Sequence, residues 1–192
     1  MRDVILAALV LSCTQEGDVG PVVRRGPVEI GVTVTVLGDS TARDWPPVLR
    51  ALRPDWYVIS HAKSGARTQD IAEQWTFNTK PYASDAVVVL GGVNDIAAGL
   101  GANNAFHYLN TIYTDAKASG VDVYAILALP SSGAYAVELA ALNERIGTVA
   151  GITTIDMVDE FEARRAEFYT DATHHNEAGL QRLAEVVADA LP

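Results

Sequence analysis

The 192-residue chain has a single cysteine, Cys13. An internal disulfide is therefore excluded, and with no CxxC pair or Cys/His cluster the pattern of structural zinc is missing too. Positive charge is scarce: 14 Lys and Arg stand against 24 Asp and Glu, a formal net charge of −10. A surface that acidic repels phosphate backbones, so nucleic acid is not an expected partner. Neither G-x-G-x-x-G nor G-x-x-x-x-G-K-[ST] occurs, which counts against a nucleotide-binding module. Internal repeats and low-complexity tracts are absent as well.

What remains suits a globular protein, with 49% hydrophobic and 20% charged residues. A chain of this length favours one domain, burying roughly 70% of its unfolded surface around a single core. Residues 1–27 read differently from the rest. Val4 to Leu11 form a short apolar run, far too short to span a bilayer but suited to a signal-peptide core. Val10-Leu11-Ser12-Cys13 resembles a bacterial lipobox, in which the cysteine is acylated after cleavage. Asp3 departs from that pattern by cancelling Arg2. The expectation is an exported, cell-envelope lipoprotein held to the membrane through a lipid on Cys13. A cytoplasmic chain with this segment packed on the domain is the alternative. Gly17, Gly20, Pro21, Gly26 and Pro27 mark a tether, and the domain proper is expected over 28–192.

Within that domain two periods alternate. Apolar or β-branched runs at 32–37, 56–60, 86–90, 121–127 and 152–155 read as strands. Helical faces lie between and after them: Phe106, Leu109, Tyr113, Ala116; Tyr135, Leu139, Leu142, Ile146, Val149; and Leu180, Leu183, Val187, Leu191. Asp44, ahead of Pro46 and Pro47, reads as the start of the first helix. Trp45, Trp56 and Trp75 read as core or cleft wall. Five strands alternating with helices predict an α/β fold, a parallel sheet covered on both faces.

In such a sheet, ligands bind beyond the carboxyl ends of the strands. The first strand runs out in Gly38-Asp39-Ser40-Thr41, the second into Lys63-Ser64-Gly65-Ala66-Arg67, and the third into Gly91-Gly92-Val93-Asn94-Asp95. Asp171-Ala172-Thr173-His174-His175 precedes the last helix. These supply the parts of an acyl-transfer site. A serine hydroxyl needs a base to take its proton, and His174 is the candidate. Asp171, three residues earlier, is placed to hold the imidazole in the productive tautomer. Ser40 N–H, Gly65 N–H and the Asn94 amide are candidate donors to an oxyanion. Asp39 reads as a loop organiser and not as the acid of the triad. His61 and His107 read as structural, and Arg43 and Arg67 as ordinary surface charge.

The four blocks, G-D-S at 38–40, Gly65, G-x-N-D at 92–95 and D-x-x-H at 171–174, resemble those of the SGNH, or GDSL, hydrolase family, in the family's order. The resemblance covers 32 to about 190. It implies a flavodoxin-like three-layer α/β/α sandwich, with no metal or organic cofactor. It also implies Ser40 as nucleophile, Asp171 and His174 completing the triad, and Ser40, Gly65 and Asn94 as the oxyanion hole. Thr41 stands where the motif's name has leucine, and His175 is a possible stand-in for its neighbour. The expected activity is a carboxylic ester hydrolase acting on short-chain acyl or acylated carbohydrate esters. Lysophospholipid and thioester hydrolysis stay open within the same family. A catalytically silent binding protein on this fold, or a metallohydrolase built on Asp171, His174, His175 and Glu177, are the competing classes.

Overall fold

Val34 and Val36 face one side of the first strand and Leu37 the other, and all three are fully buried. That alternation, with apolar residues in both registers, is what a strand covered on both faces requires. The computed structural model describes residues 31–80 and 84–192. The apolar N-terminal run and Cys13 lie outside the described residues. Five parallel strands, β1 (Thr33–Gly38), β2 (Tyr57–Ser60), β3 (Ala86–Leu90), β4 (Asp122–Ile126) and β5 (Thr153–Ile155), lie in the order β2-β1-β3-β4-β5. Each falls within two residues of the run that predicts it. The register pairs Val34 with both Val58 and Ala86, and sets Gly38 opposite Leu90.

The helices are α1 (Ser40–Arg43), α2 (Pro46–Leu52), α3 (Thr68–Gln74), α4 (Val93–Ala97), α5 (Gly101–Ala118), α6 (Ala136–Gly147), α7 (Val158–Ala163), α8 (Arg165–Phe168) and α9 (Glu177–Ala190). Two separate cores result, one on each face of the sheet. Leu49 of α2, Phe161 of α7, Phe168 of α8 and Leu183 and Val187 of α9 join Val34, Val36, Val88 and Ile126 on one face. Ile71 of α3, Leu109 and Ile112 of α5 and Leu142 and Ile146 of α6 join Leu37, Val87, Val89 and Val123 on the other. The predicted faces are buried or partly buried as expected, and the three tryptophans are core residues. Truncating such a side chain to alanine typically costs about 2–5 kcal/mol.

One helix start differs from expectation. Asp44 starts no helix but ends α1 as its C-cap residue, and its two carboxylate oxygens each accept a 2.7 Å bond from the guanidinium of Arg43. The chain instead enters a helix at once after β1, with Asp39 as the cap, its Oδ1 accepting from Thr41 N at 2.8 Å. The α2 helix starts behind Trp45 with no side-chain cap, because Pro46 and Pro47 occupy its first positions and need no acceptor for an N–H.

Chain order reverses between β1 and β3. Their neighbouring C-terminal ends open the crevice in which α/β proteins of this type hold ligands. The segments bearing Ser40, Gly65 and Asn94 leave the ends of β1, β2 and β3.

Candidate active site

Gly38 lets the first block form. A Cβ there would sit 2.2 Å from the Leu90 carbonyl oxygen of β3 and 2.5 Å from Ala42 Cβ, so no other residue fits between strand and helix. Asp39 then turns inward. Its side chain is fully buried, with Oδ1 accepting from Thr41 N and Thr41 Oγ1, while Oδ2 has no partner among the described residues. Burial pushes its carboxyl up to about 6, against the pull of the two Thr41 bonds, and the charge of Asp95 adds to the rise. This is the loop organiser expected of Asp39. Ser40 follows as the first residue of α1, where its N–H has no intrahelical acceptor.

The last block arrives from the far end of the chain. Asp171 Oδ1 accepts from the backbone N–H groups of Thr173 and His174, both at 2.8 Å. Its Oδ2 lies 2.8 Å from His174 Nδ1, and His174 Nε2 lies 3.0 Å from Ser40 Oγ. Serine, imidazole and carboxylate thus form a continuous chain. The backbone bonds, followed by the imidazole bond, draw the Asp171 carboxyl down to about 2, so it is ionised across the neutral range.

His175 takes no part in that chain. Its ring packs between Phe161, at a centroid distance of 5.3 Å, and Tyr169, at 4.7 Å, and neither nitrogen has a partner among the described residues. Burial pushes it down to about 4, so it is a neutral core residue. The choice between the two adjacent histidines is made by packing: one ring enters the core and the other reaches Ser40.

The middle blocks are tied to each other. Ala66 N donates to Lys63 O at 3.1 Å, closing a tight turn that needs Gly65 at φ +75°. Lys63 N donates to Gly38 O at 3.0 Å, joining this turn to the first block. Asn94 sits near the start of α4, and its Nδ2 donates to Ala66 O at 3.0 Å, leaving a second amide hydrogen without an acceptor among the described residues. The neighbouring Asp95 caps a distant helix: its buried carboxylate accepts from Thr68 N and Thr68 Oγ1, both at 2.8 Å, at the start of α3. Asn94 and Gly65 are therefore held in one unit.

Several supports escaped the sequence reading. Arg43, expected to be plain surface charge, reaches Ser64 Oγ at 2.5 Å as well as Asp44. Ser131 Oγ lies 2.6 Å from Thr173 Oγ1, beside the acid–base turn. Arg165 donates to Ser131 O at 2.9 Å and to Ala172 O at 3.2 Å, and Tyr169 Oη donates to Pro130 O at 2.8 Å. The Arg43–Ser64, Ser131–Thr173, Arg165–Ser131 and Tyr169–Pro130 bonds join residues 21 or more apart in sequence, and no local pattern announces them.

A family model described as GDSL-like lipase/acylhydrolase matches residues 28–182. The chain belongs to that family. This GDSL-family hydrolase shares its fold with solved esterases at low identity. The acetyl xylan esterase AlAXEase matches with a TM-score of 0.74 at 16% identity, over 84% of this chain and 100% of that one. A carbohydrate esterase of family 3 from Talaromyces cellulolyticus gives 0.67 at 19%, over 83% and 95%. The psychrotrophic esterase EstA from Pseudoalteromonas sp., solved with monoethylphosphonate as inhibitor, gives 0.68 at 15%, over 83% and 96%. No curated protein sequence matches the chain.

Proposed function

We propose that this family member is a serine esterase cleaving carboxylic esters of short acyl groups, acylated carbohydrates among them, through an acyl-enzyme on Ser40. The observation that carries the reading is the Ser40–His174–Asp171 chain, with both contacts within hydrogen-bond reach. Its acid is ionised and its imidazole is aimed at the hydroxyl. The acetyl xylan esterase and family 3 carbohydrate esterase among the structural neighbours support the substrate class.

The chemistry follows from the atoms. Asp171 Oδ2 accepts a hydrogen bond from His174 Nδ1–H, which leaves the lone pair of Nε2 facing Ser40 Oγ. Ser40 Oγ attacks the ester carbonyl as Nε2 takes its proton. Negative charge then develops on the former carbonyl oxygen, and Ser40 N–H, Gly65 N–H and the free hydrogen of Asn94 Nδ2 are the donors for it. The imidazolium returns its proton to the departing alcohol. In the second half His174 takes a proton from water, which attacks the acyl-serine and restores Ser40. No step needs a metal, and activity is expected to survive EDTA.

Fluorophosphonate labelling with mass-spectrometric mapping tests the mechanism. The folded protein should carry the adduct on Ser40, and neither Ser40→Ala nor a heat-denatured sample should be labelled. A folded wild type that takes no adduct and turns over no ester would make the protein a binding member of the family. Asn94→Ala should lower kcat about 10²–10³-fold with a much smaller change in KM.

A further inference from the structure

Beside the acid–base turn lies a solvent-open cleft of about 630 Å³ that the serine mechanism leaves unused. Residues 130–133, one side of α6 and one side of α7 form its walls, and Asp171 and Ala172 form its edge. We infer that this cleft is the subsite for the alcohol half of the ester, and that the alcohol is a neutral, hydroxyl-rich one of the sugar class. The inference rests on the esterase reading above.

Position comes first. The Asp171 side chain serves both places, holding His174 on one side and bordering the cleft on the other, so the cleft begins directly behind the His174–Ser40 pair. Size comes next. A volume in the range that holds drug-sized ligands is far more than an acetyl group fills, so the larger half of the ester belongs there.

Charge and hydrogen bonding choose its chemistry. Asp159, Glu162 and Asp171 line the cleft against a single cation, Arg165. That guanidinium is already committed to Glu162 Oε2 at 2.9 Å and to the carbonyls of Ser131 and Ala172. An anionic group would meet net negative charge with no free cation, which disfavours phosphorylated alcohols. A long hydrocarbon chain would cover the Ser132 hydroxyl and the Asp159 carboxylate, which make no side-chain hydrogen bonds among the described residues, and would leave them unpaired. Sugar hydroxyls would satisfy both, while Ala128, Pro130, Leu139 and Val158 offer an apolar floor to the ring's C–H face.

Ala136 and Ala140 stand one turn apart on the α6 wall, and a tryptophan at either would project an indole into the cleft and obstruct it. The test compares kcat/KM for an acetylated methyl glycoside, ethyl acetate and ethyl octanoate in the wild type, Ala136→Trp, Ala140→Trp and Asp159→Ala. The wild type should prefer the glycoside to ethyl acetate at least tenfold. Each folded tryptophan variant should reduce that ratio at least tenfold, and Asp159→Ala should raise KM for the glycoside several-fold. No wild-type preference, or a preference untouched by either folded tryptophan variant, would overturn the inference. So would a loss confined to ethyl octanoate, which would put the acyl chain in the cleft. Ethyl acetate turnover that survives Ser40→Ala would instead overturn the serine mechanism beneath it.

Discussion

Asp39 and Asp171 head two turns of similar design and end in opposite electrical states. Each uses Oδ1 to accept the backbone N–H of the residue two further on, Thr41 in one case and Thr173 in the other. Asp171 is 56% exposed and is drawn down to about 2; Asp39 is fully buried and is pushed up to about 6. Hydrogen bonds favour the charged form in both turns, so they do not explain the difference. Desolvation does. A carboxylate that keeps water on one side needs only a few donors to stay ionised, whereas one inside the fold loses more hydration than two bonds return. The site thus uses one aspartate as a charge and another as a tie between strand and helix.

The largest effect is expected where the charge does chemistry. Asp171→Asn keeps an oxygen for the turn but can present N–H to His174 Nδ1, which reverses the tautomer and removes the lone pair facing Ser40. A loss in kcat of about 10³–10⁴ is expected. Because the carboxyl is exposed, Tm at pH 7 should shift little by comparison. A drop in Tm matching the loss of activity would mean that Asp171 holds the turn and does no more. In the wild type, the stability due to Asp171 is present above its unfolded value of 3.8 and is lost as pH falls toward about 2.

Asp39 should respond in the other direction and with a smaller effect. A folded-state pKa raised from 3.8 to about 6 means that the native state binds the proton more tightly than the unfolded chain does. Stability is therefore full at low pH and declines as pH rises through about 6. Two units correspond to at most about 3 kcal/mol, and about 2–4 °C in Tm accompanies each kcal/mol at this size. Asp39→Asn keeps the shape and the acceptor for Thr41 N without the charge. Its Tm should exceed that of the wild type by several degrees at pH 8 and converge on it only below about pH 4, where the carboxyl is protonated in the folded and the unfolded chain alike. A difference that stays constant across this range would show that the fold does not raise the Asp39 pKa, and the contrast between the two turns would fail.

Much of this was legible in the amino-acid order, for reasons that differ by element. Strands such as Ala86–Leu90 are readable because burial on both faces demands an unbroken β-branched run. Ser40, Gly65, Asn94, Asp171 and His174 are readable because each lies where a strand runs out or just before the last helix, with residue types that share one chemistry. Partnership across the chain is not readable. Asp95 sits in the first turn of its own helix, yet its carboxylate binds Thr68, 27 residues away. Arg43 and Asp44 look like surface charge and a helix start, yet together they brace the Ser64 turn. The D-x-x-H spacing favours His174 over His175, but the Phe161 and Tyr169 rings that take His175 into the core are not readable from the neighbourhood of either histidine.

The smallest effect should come from the support behind the exposed turn. Asp39 is held by complete burial, but Asp171 stands in solvent, so other bonds must keep its geometry. The Ser131–Thr173 contact at 2.6 Å is the nearest of these, with Arg165 fixing the carbonyls on either side. Ser131→Ala removes one side-chain bond and leaves the His174–Asp171 pair in place. A neutral hydrogen bond contributes about 0.5–1.5 kcal/mol, so kcat should fall by no more than about tenfold, with KM nearly unchanged. Ser131→Thr should restore most of the loss, since it returns the hydroxyl. If Ser131→Ala instead cost as much as Asp171→Asn, the loop at 130–132 would be part of the reacting geometry. The exposed turn would then owe its order to that loop more than to its own backbone bonds.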